Sequence, residues 1–274
     1  MKHYFLITNS KKDLGFQISR EIIKYIFDKG GTAKVMDHQE VTVQDVPKET
    51  EAIIVLGGDG TLIRIATRME SLKLPIIGVN LGNLGYLCEL EKNTIYPAID
   101  HLFLDDYYIE ERMMLKNLGG KDPKEHLALN DIFFYSAGEQ KFLHLNVYIN
   151  GTKLNTYRAD GIILSTPTGS TGYNLSAGGP IVNPKAKLIL LTPINDHTLS
   201  SRSIVLDMDD VIEVELDSRS AERDECVSVS VDGDKVYMMQ VGERYKIGRA
   251  EQTIQICRLS RISFLENLRR KMEQ

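Results

Sequence analysis

The sequence predicts an α/β N-terminal domain built on a parallel sheet, then an all-β C-terminal domain of two packed sheets, and a C-terminal helix that returns to the first domain. Three observations predict it. Over the first part of the chain, short apolar runs alternate with segments whose apolar residues recur at helical spacing. Strand, helix, strand with short connections makes a parallel sheet with helices on its faces. From about Tyr107 the pattern changes to extended runs punctuated by turn residues, the texture of packed antiparallel sheets. The closing stretch FLENLRRKMEQ sets Phe264, Leu265 and Leu268 on a short apolar face, and a lone helix needs a surface to bury against. The expected division is residues 1–105 with 260–274 as the α/β domain and residues 106–259 as the β-rich domain.

Each element has its own signal. HYFLIT reads as a short buried strand, and Leu14, Ile18, Ile22, Tyr25 and Ile26 then fall on one helical face. Gly30-Gly31 ends that helix. TAKVM and AIIVL are the second and third strands, and Leu62, Ile65, Ala66 and Met69 suit a helix after the latter. PIIGV is a fourth strand, followed by a helix with Ile95, Ala98, Ile99 and Leu102 on its inner face. In the second domain YYIEERMMLKNL, ALNDIFFYS, KFLHLNVYING, KLNTYRADGIILST, SIVLDM, VIEVELDS, CVSVSVDGDKVYMM, RYKIGRA and TIQICRL read as strands. Asn150-Gly151 and Asp232-Gly233-Asp234 supply hairpin turns. There is no internal repeat and no low-complexity linker.

Composition narrows the function. The 274 residues are 42% hydrophobic and 26% charged, ordinary for a globular protein with a real core. A net charge of −5 argues against nucleic acid as the main partner, because phosphate backbones call for a basic face. No run approaches the about 18 apolar residues that a membrane span requires, so no membrane association is expected. The opening MKHYFLITNS carries one lysine and a short apolar run that ends in Asn-Ser, so no secretory leader is expected. Cys88, Cys226 and Cys257 are far apart and show no CxxC spacing, which suits reduced thiols in a cytoplasmic protein and gives no metal cage.

Four stretches carry the chemistry. Gly57-Gly58-Asp59-Gly60-Thr61 follows the apolar strand AIIVL, and ligands of open parallel sheets bind beyond the carboxyl ends of the strands. Glycines let backbone N–H groups approach phosphate oxygens, and the following helix points its N-terminus at the same anion. Asp59 there can accept a proton from an attacking hydroxyl or help hold a metal; the plain alternative is a tight turn with Asp as a helix cap. NLGNLGYL, Asn80 to Leu87, follows the next strand, so both loops are expected at one sheet edge; alone it is a flexible glycine loop. RADGIILSTPTGSTGYNLSAGGP, Arg158 to Pro180, is dense in small residues and suits a cleft where ligand lies close to backbone, with Thr171, Tyr173 and Ser176 offering hydroxyls; an ornate turn is the alternative. ALND, Ala128 to Asp131, can read the two hydroxyls of a ribose, Asn donating and accepting and Asp accepting; it is also a common turn.

The order of these blocks, closed by DHTLSSRSIVL, resembles the NAD kinase family, from about residue 52 to 260. A lone GGDG also occurs in phosphofructokinases and diacylglycerol-type lipid kinases; the TPTGSTGYNLSAGG block is far more specific. The resemblance implies an enzyme that transfers a phosphoryl group from ATP, or in some members polyphosphate, to the 2′-hydroxyl of the adenosine ribose of NAD, giving NADP. It implies an α/β domain carrying the GGDG loop and a β-rich domain for dinucleotide binding and oligomerisation, assembled as a homodimer or homotetramer. By resemblance Asp59 activates the 2′-hydroxyl. Gly57, Gly58, Thr61, Arg64 and Asn80 form the phosphate and ATP loop. Gly60, Asn130, Asp131, Asp160, Thr171, Tyr173 and Ser176 bind NAD, Asp160 near the nicotinamide amide. His197 and Arg202 are anion contacts, with a structural loop histidine as the alternative for His197. Mg²⁺ arrives with ATP, held by phosphates and water. The family commonly has Asn-Glu where this chain has Asn130-Asp131, so the acid reaches about 1.5 Å less, one carbon–carbon bond. It also commonly has Ala at the position of Gly172.

Two rival readings remain. A lipid kinase would share the GGDGT loop, but it needs a membrane-facing surface, and no strong basic amphipathic helix is present. A non-catalytic dinucleotide sensor would bind without turnover, and Asp59 argues against it.

Overall fold

The structure is a computed structural model of the 274-residue chain. It describes all residues except 83–84, 120, 139–141, 198–201, 218–225, 260–263 and 274, and of Arg270 and Met272 the backbone alone. The chain forms two compact units: Met1–Arg112 with Ile254–Gln274, and Met113–Thr253.

The first unit opens with β1 (His3–Thr8), α1 (Gln17–Asp28), β2 (Thr32–Asp37), β3 (Ala52–Gly57), α2 (Asp59–Arg68), β4 (Ile76–Asn80), the short β5 (Leu90–Glu91) and α3 (Ile95–Phe103). β6 (Tyr108–Asn117) begins here and ends in the second unit. The order β2-β1-β3-β4 is parallel throughout, with Tyr4 beside Ala52, Ile53 beside Ile76 and Gly57 beside Asn80. β3 is buried along its whole length, as a strand covered on both faces must be. Leu6, Ile54, Leu56, Ile77 and Val79 meet Ile22 and Ile26 of α1 and Ile99 and Leu102 of α3 in one core.

The helical face after β1 differs from expectation at one end. Leu14 lies outside α1 and is 72% exposed. Gly15 (φ 62°) and Phe16 (φ 59°) are left-handed and break the helical run there. The carboxylate of Asp13 accepts the N–H groups of Ile18 and Ser19 across that break and so starts the helix three residues later than the apolar spacing suggests. At the other end Lys29 caps α1 and Gly30 takes φ 83°, the expected glycine stop.

Among its described residues the second unit is β but for a 3₁₀ turn (Gly169–Thr171) and one short turn of α-helix. It holds β7 (Leu127–Ala128), β8 (Asp131–Ser136), β9 (Leu143–Ile149), β10 (Thr152–Ala159), β11 (Gly161–Ser165), α4 (Tyr173–Ser176), β12 (Leu188–Ile194), β13 (Ile204–Asp207), β14 (Ile212–Leu216), β15 (Val227–Val231), β16 (Asp234–Met239) and the first part of β17 (Arg244–Arg258). One antiparallel layer runs β10-β9-β14-β17, and the other runs β13-β12-β11-β8-β15-β16. Their facing sides supply Phe134, Leu145, Val147, Ile162, Val214, Val229 and Ile247 to a shared core. Asn150-Gly151 and Asp232-Gly233 turn with positive φ at both residues, the hairpin geometry their sequence calls for. RYKIGRA and TIQICRL are one continuous strand, β17, and not two.

The last residues of β17 belong to the first unit, where Ile256 pairs in parallel with Ile76 of β4. The final helix, α5 (Phe264–Met272), is in that unit as well, and the Lys271 ammonium stands 4.4 Å from the centre of the Tyr86 ring. Cys88, Cys226 and Cys257 are free thiols. Among the described residues no helix is long and apolar enough to cross a membrane.

Candidate active site

In the first unit the site grows from adjacent strand ends. β3 stops at Gly57, Gly58 is extended, and Asp59 is the first residue of α2. Gly57 and Asn80 are neighbours across the sheet, so the GGDG and NLG loops leave the same edge. Asp59 ties them together. Its Oδ2 accepts the N–H of Tyr86 at 2.6 Å and of Leu87 at 3.2 Å, and its Oδ1 that of Cys88 at 3.0 Å. A side chain on Gly85 would fall on this carboxylate, so only glycine lets the second loop come so close. Asn80 is buried and accepts the N–H of Gly82 at 2.8 Å, which curls the start of that loop; Asn83 and Leu84 lie outside the described residues. Arg258 Nη1 donates to the Leu87 carbonyl at 3.1 Å and its Nε to Glu110 at 3.0 Å, which fixes the far side of the loop.

A cavity of about 560 Å³ opens over these loops, lined by Gly58, Asp59, Gly60, Thr61, Arg64 and Gly85 together with Asn9, Lys12 and His38. The last three come from the loops after β1 and β2, and no sequence motif pointed to them. The signal they carry is position alone: polar residues directly after a parallel strand.

In the second unit a cavity of about 420 Å³ is lined by Asn130, Asp131, Phe133, Tyr135, Tyr173, Ser230, Asp232 and Gly233. β8 explains most of it. Ile132 and Phe134 face the core, so Asp131, Phe133 and Tyr135 share the opposite face, at the two-residue spacing of a strand. Phe133 and Tyr135 stack at 4.8 Å, and the Tyr173 ring meets Phe133 edge-on at 5.0 Å. Asn130 Oδ1 is buried without a hydrogen-bond partner among the described residues. An added methyl on Gly172 would stand 3.2 Å from Asn130 Nδ2, so glycine there leaves the amide room.

Asp131 is buried and Asp232 half-buried in this cavity. Asp232 accepts the N–H groups of Leu129, Asn130 and Asp131 at 2.8, 2.8 and 3.1 Å, so it grips the whole ALND turn. Burial raises both carboxyls. Asp131 goes up to about 7, helped by the charge of Asp232, and Asp232 to about 6, against the pull of its three N–H donors. Those donors favour the ionised form on Asp232 and hold its rise below that of Asp131.

The small-residue block does more packing than expected. Residues 161–170 are all buried, and the hydroxyls of Ser165, Thr166 and Ser170 bond backbone. Thr166 Oγ1 donates to the Leu129 carbonyl at 2.6 Å, Ser165 Oγ reaches the Asn130 carbonyl at 3.3 Å, and Ser170 Oγ bonds Val182. The block braces ALND from beneath. Of its expected contact residues only Tyr173 lines the cavity. Thr171 Oγ1 points to the Thr168 carbonyl at 3.4 Å, and Ser176 is exposed on α4. Asp160 sits between β10 and β11, with Oδ2 accepting from Asn195 at 2.8 Å and Oδ1 buried without a partner among the described residues. His197 donates its N–H to the Arg158 carbonyl and sets its ring edge-on to Phe142 at 4.0 Å. Arg202 is exposed, and residues 198–201 beside it are outside the described set.

Glycine loops at the carboxyl edge of a parallel sheet, an acid at the head of the next helix and an aromatic cavity with paired carboxyls define a nucleotide-dependent phosphotransferase built from two units. The comparisons with known proteins narrow this. The family description ATP-NAD kinase N-terminal domain matches residues 7–107, and ATP-NAD kinase C-terminal domain matches residues 129–259. An NAD kinase of Agathobacter rectalis is 52% identical, over 99% of each chain. In fold, the chain is similar to yeast NADH kinase complexed with NADH (TM-score 0.82, 23% identity, 100% of this chain and 88% of that one). It is also similar to an NAD kinase from Archaeoglobus fulgidus in complex with ATP (TM-score 0.79, 22% identity, 99% and 98%). The chain belongs to the NAD kinase family.

Proposed function

We propose that the chain transfers the terminal phosphoryl group of ATP to the 2′-hydroxyl of the adenosine ribose of NAD, with Asp59 as the proton acceptor. The observation that carries this is the state of the Asp59 carboxylate. Two amides engage Oδ2 but one engages Oδ1, so Oδ1 keeps capacity for one more donor. A ribose hydroxyl is such a donor. As O2′ bonds to the γ-phosphorus, its proton passes to Oδ1, the bond to the β-phosphate oxygen breaks and ADP leaves. The protein's share is positioning and charge neutralisation.

In this reading Gly57, Gly58, Thr61, Arg64 and Asn80 hold the phosphate side. Asn130 and Asp131 receive the ribose, the unpartnered Asn130 Oδ1 being the acceptor that a ligand donor completes. Phe133, Tyr135 and Tyr173 offer ring faces and edges to a base. Gly60, Asp160, Thr171 and Ser176 are assigned to NAD by the motif they share with the family, and His197 and Arg202 to anions. Among the described residues no cluster of three or more His, Cys, Asp or Glu side chains forms a cage. In this proposal Mg²⁺ would arrive with ATP, held by its phosphates and water, and would neutralise charge on the β- and γ-phosphates. We further propose a cytoplasmic homodimer or homotetramer, which light scattering tests against the chain's 30.9 kDa. Lipid-kinase and sensor readings have no structural observation in their favour.

Asp59→Asn tests the assignment. Turnover is expected to fall about 10²–10⁴-fold at saturating Mg²⁺ and ATP. Asparagine also turns an NH₂ toward one of the loop amides, so NAD binding without ATP is measured alongside and should change little. An increased Mg²⁺ requirement with kcat restored would make Asp59 a metal holder, and unchanged turnover would reduce it to the clamp on the second loop.

A further inference from the structure

A cation sits between the two glycine loops. The loop after β1, NSKKDLGF, leaves the same carboxyl edge of the parallel sheet as the GGDG and NLG loops. It is fixed from within. The buried Asp13 accepts from Thr8 Oγ1 at 3.1 Å and from the amides of Ile18 and Ser19, and it also bonds Ser19 Oγ. Asn9 donates its N–H to the Leu56 carbonyl of β3 and its Nδ2 to Thr61 Oγ1 of α2 at 3.3 Å, so this loop is pinned to the strand and helix that carry GGDG. From that base the Lys12 side chain reaches across. A Cβ on Gly58 would lie 3.2 Å from Lys12 Nζ and one on Gly82 3.4 Å, so the ammonium rests against the bare Cα faces of one glycine from each loop.

Among the described residues this ammonium makes no ion pair or hydrogen bond. Asp59, the carboxylate of the same cavity, is engaged by three loop amides. His38 lines the cavity too, is 4% exposed and sets its Nδ1 3.4 Å from the Asp37 carboxylate. α2 begins at this point with no side-chain cap on Gly58. A lysine on a flexible stem held beside two glycines, facing a helix start, is a point charge placed for an anion.

We propose that Lys12 binds the terminal phosphates of the phosphoryl donor and neutralises their oxygens as the bond between the β- and γ-phosphates breaks. The proposal rests on the reading of the glycine loops as the phosphate site, and the ligand class is a linear polyphosphate tail.

The test compares Lys12→Met, Lys12→Arg and, as a control on the same loop, Lys11→Met. Tripolyphosphate is titrated calorimetrically into each protein without NAD, and ATP and NAD kinetics are measured with Mg²⁺. Lys12→Met is expected to raise the KM for ATP and weaken tripolyphosphate binding by about ten- to a hundredfold, the loss of one charge-assisted contact, with the KM for NAD within about twofold of the parent. Lys12→Arg should recover most of the loss, and Lys11→Met should lose nothing. A Lys12→Met protein within about twofold of the parent in both ATP KM and tripolyphosphate affinity overturns the assignment while leaving the glycine loops intact as the phosphate site. Failure of tripolyphosphate to bind the parent in competition with ATP overturns both.

Discussion

At the scale of single residues, Asp131 shows why identity and environment must be read together. The side chain is a carboxylate by sequence, but the fold buries it beside Asp232 and lifts it from 3.8 to about 7. The consequence for stability follows from proton binding. Between those two values the folded chain holds a proton that the unfolded chain has released, so stability is fully present below the lower value and is lost as pH rises through the upper one. Asp131→Asn removes the titration. The parent's thermal midpoint should therefore fall from about pH 4 to about pH 7 more steeply than the variant's, and above about pH 7 the variant should be the more stable of the two. Equal slopes in a thermal melt series would show that Asp131 is not the proton carrier of the pair.

Elements decide how these side chains are aimed. The β15–β16 turn carries Asp232 at φ 49°, and from there one carboxylate holds three consecutive amides of the segment that leads into β8. The sequence marks Asp232-Gly233 as a hairpin turn, and the clamp is a second use of the same residue. Asp232→Ala leaves buried N–H donors unpaired and should lower stability by roughly 2–4 kcal/mol in denaturant unfolding. Because the segment it holds carries Asn130 and Asp131, the KM for NAD should rise more than kcat falls. An unchanged KM in a destabilised protein would make Asp232 a structural brace alone. Residues 161–170 act on the same segment from the other side, through Thr166 and Ser165. Small hydroxyl residues there are packing partners for a backbone, which is why so few of them line the cavity.

At the scale of the molecule, the chain does not keep its units in sequence order. β6 and β17 each start in one unit and finish in the other, and the first unit is complete only when residues 254–274 have joined it. Ile254, Ile256 and Cys257 are buried there, and Ile256 pairs with β4. Deleting residues 254–274 would uncover that side of β4, remove Arg258 from the loop that Asp59 grips and expose an apolar strand edge. The shortened chain is expected to aggregate or to melt at least about 5 °C lower, which size-exclusion chromatography and calorimetry would report. A soluble chain with the parent's melting temperature would show that the returning strand is dispensable.

What the sequence determined by itself was local or periodic. Alternation of strand and helix, the glycine stop after α1, the two hairpin turns and the GGDG loop at the end of β3 are written in short spacings, because backbone conformation answers to neighbours within a few residues. Asp59, Asn130, Asp131 and Tyr173, which line the two cavities, each lie in a compact motif of the same kind. Other features needed tertiary structure. Lys12 meets Gly58 and Gly82 only because β1, β3 and β4 lie in one parallel sheet, and Asp232 meets Leu129 only because β15 pairs with β8. The break at Gly15-Phe16 depended on Asp13 finding amides across it, and the raised proton affinity of Asp131 depended on burial beside a second acid. Contacts between residues far apart in the chain, and the dielectric around them, are properties of the packed structure, and no spacing in the sequence encodes them.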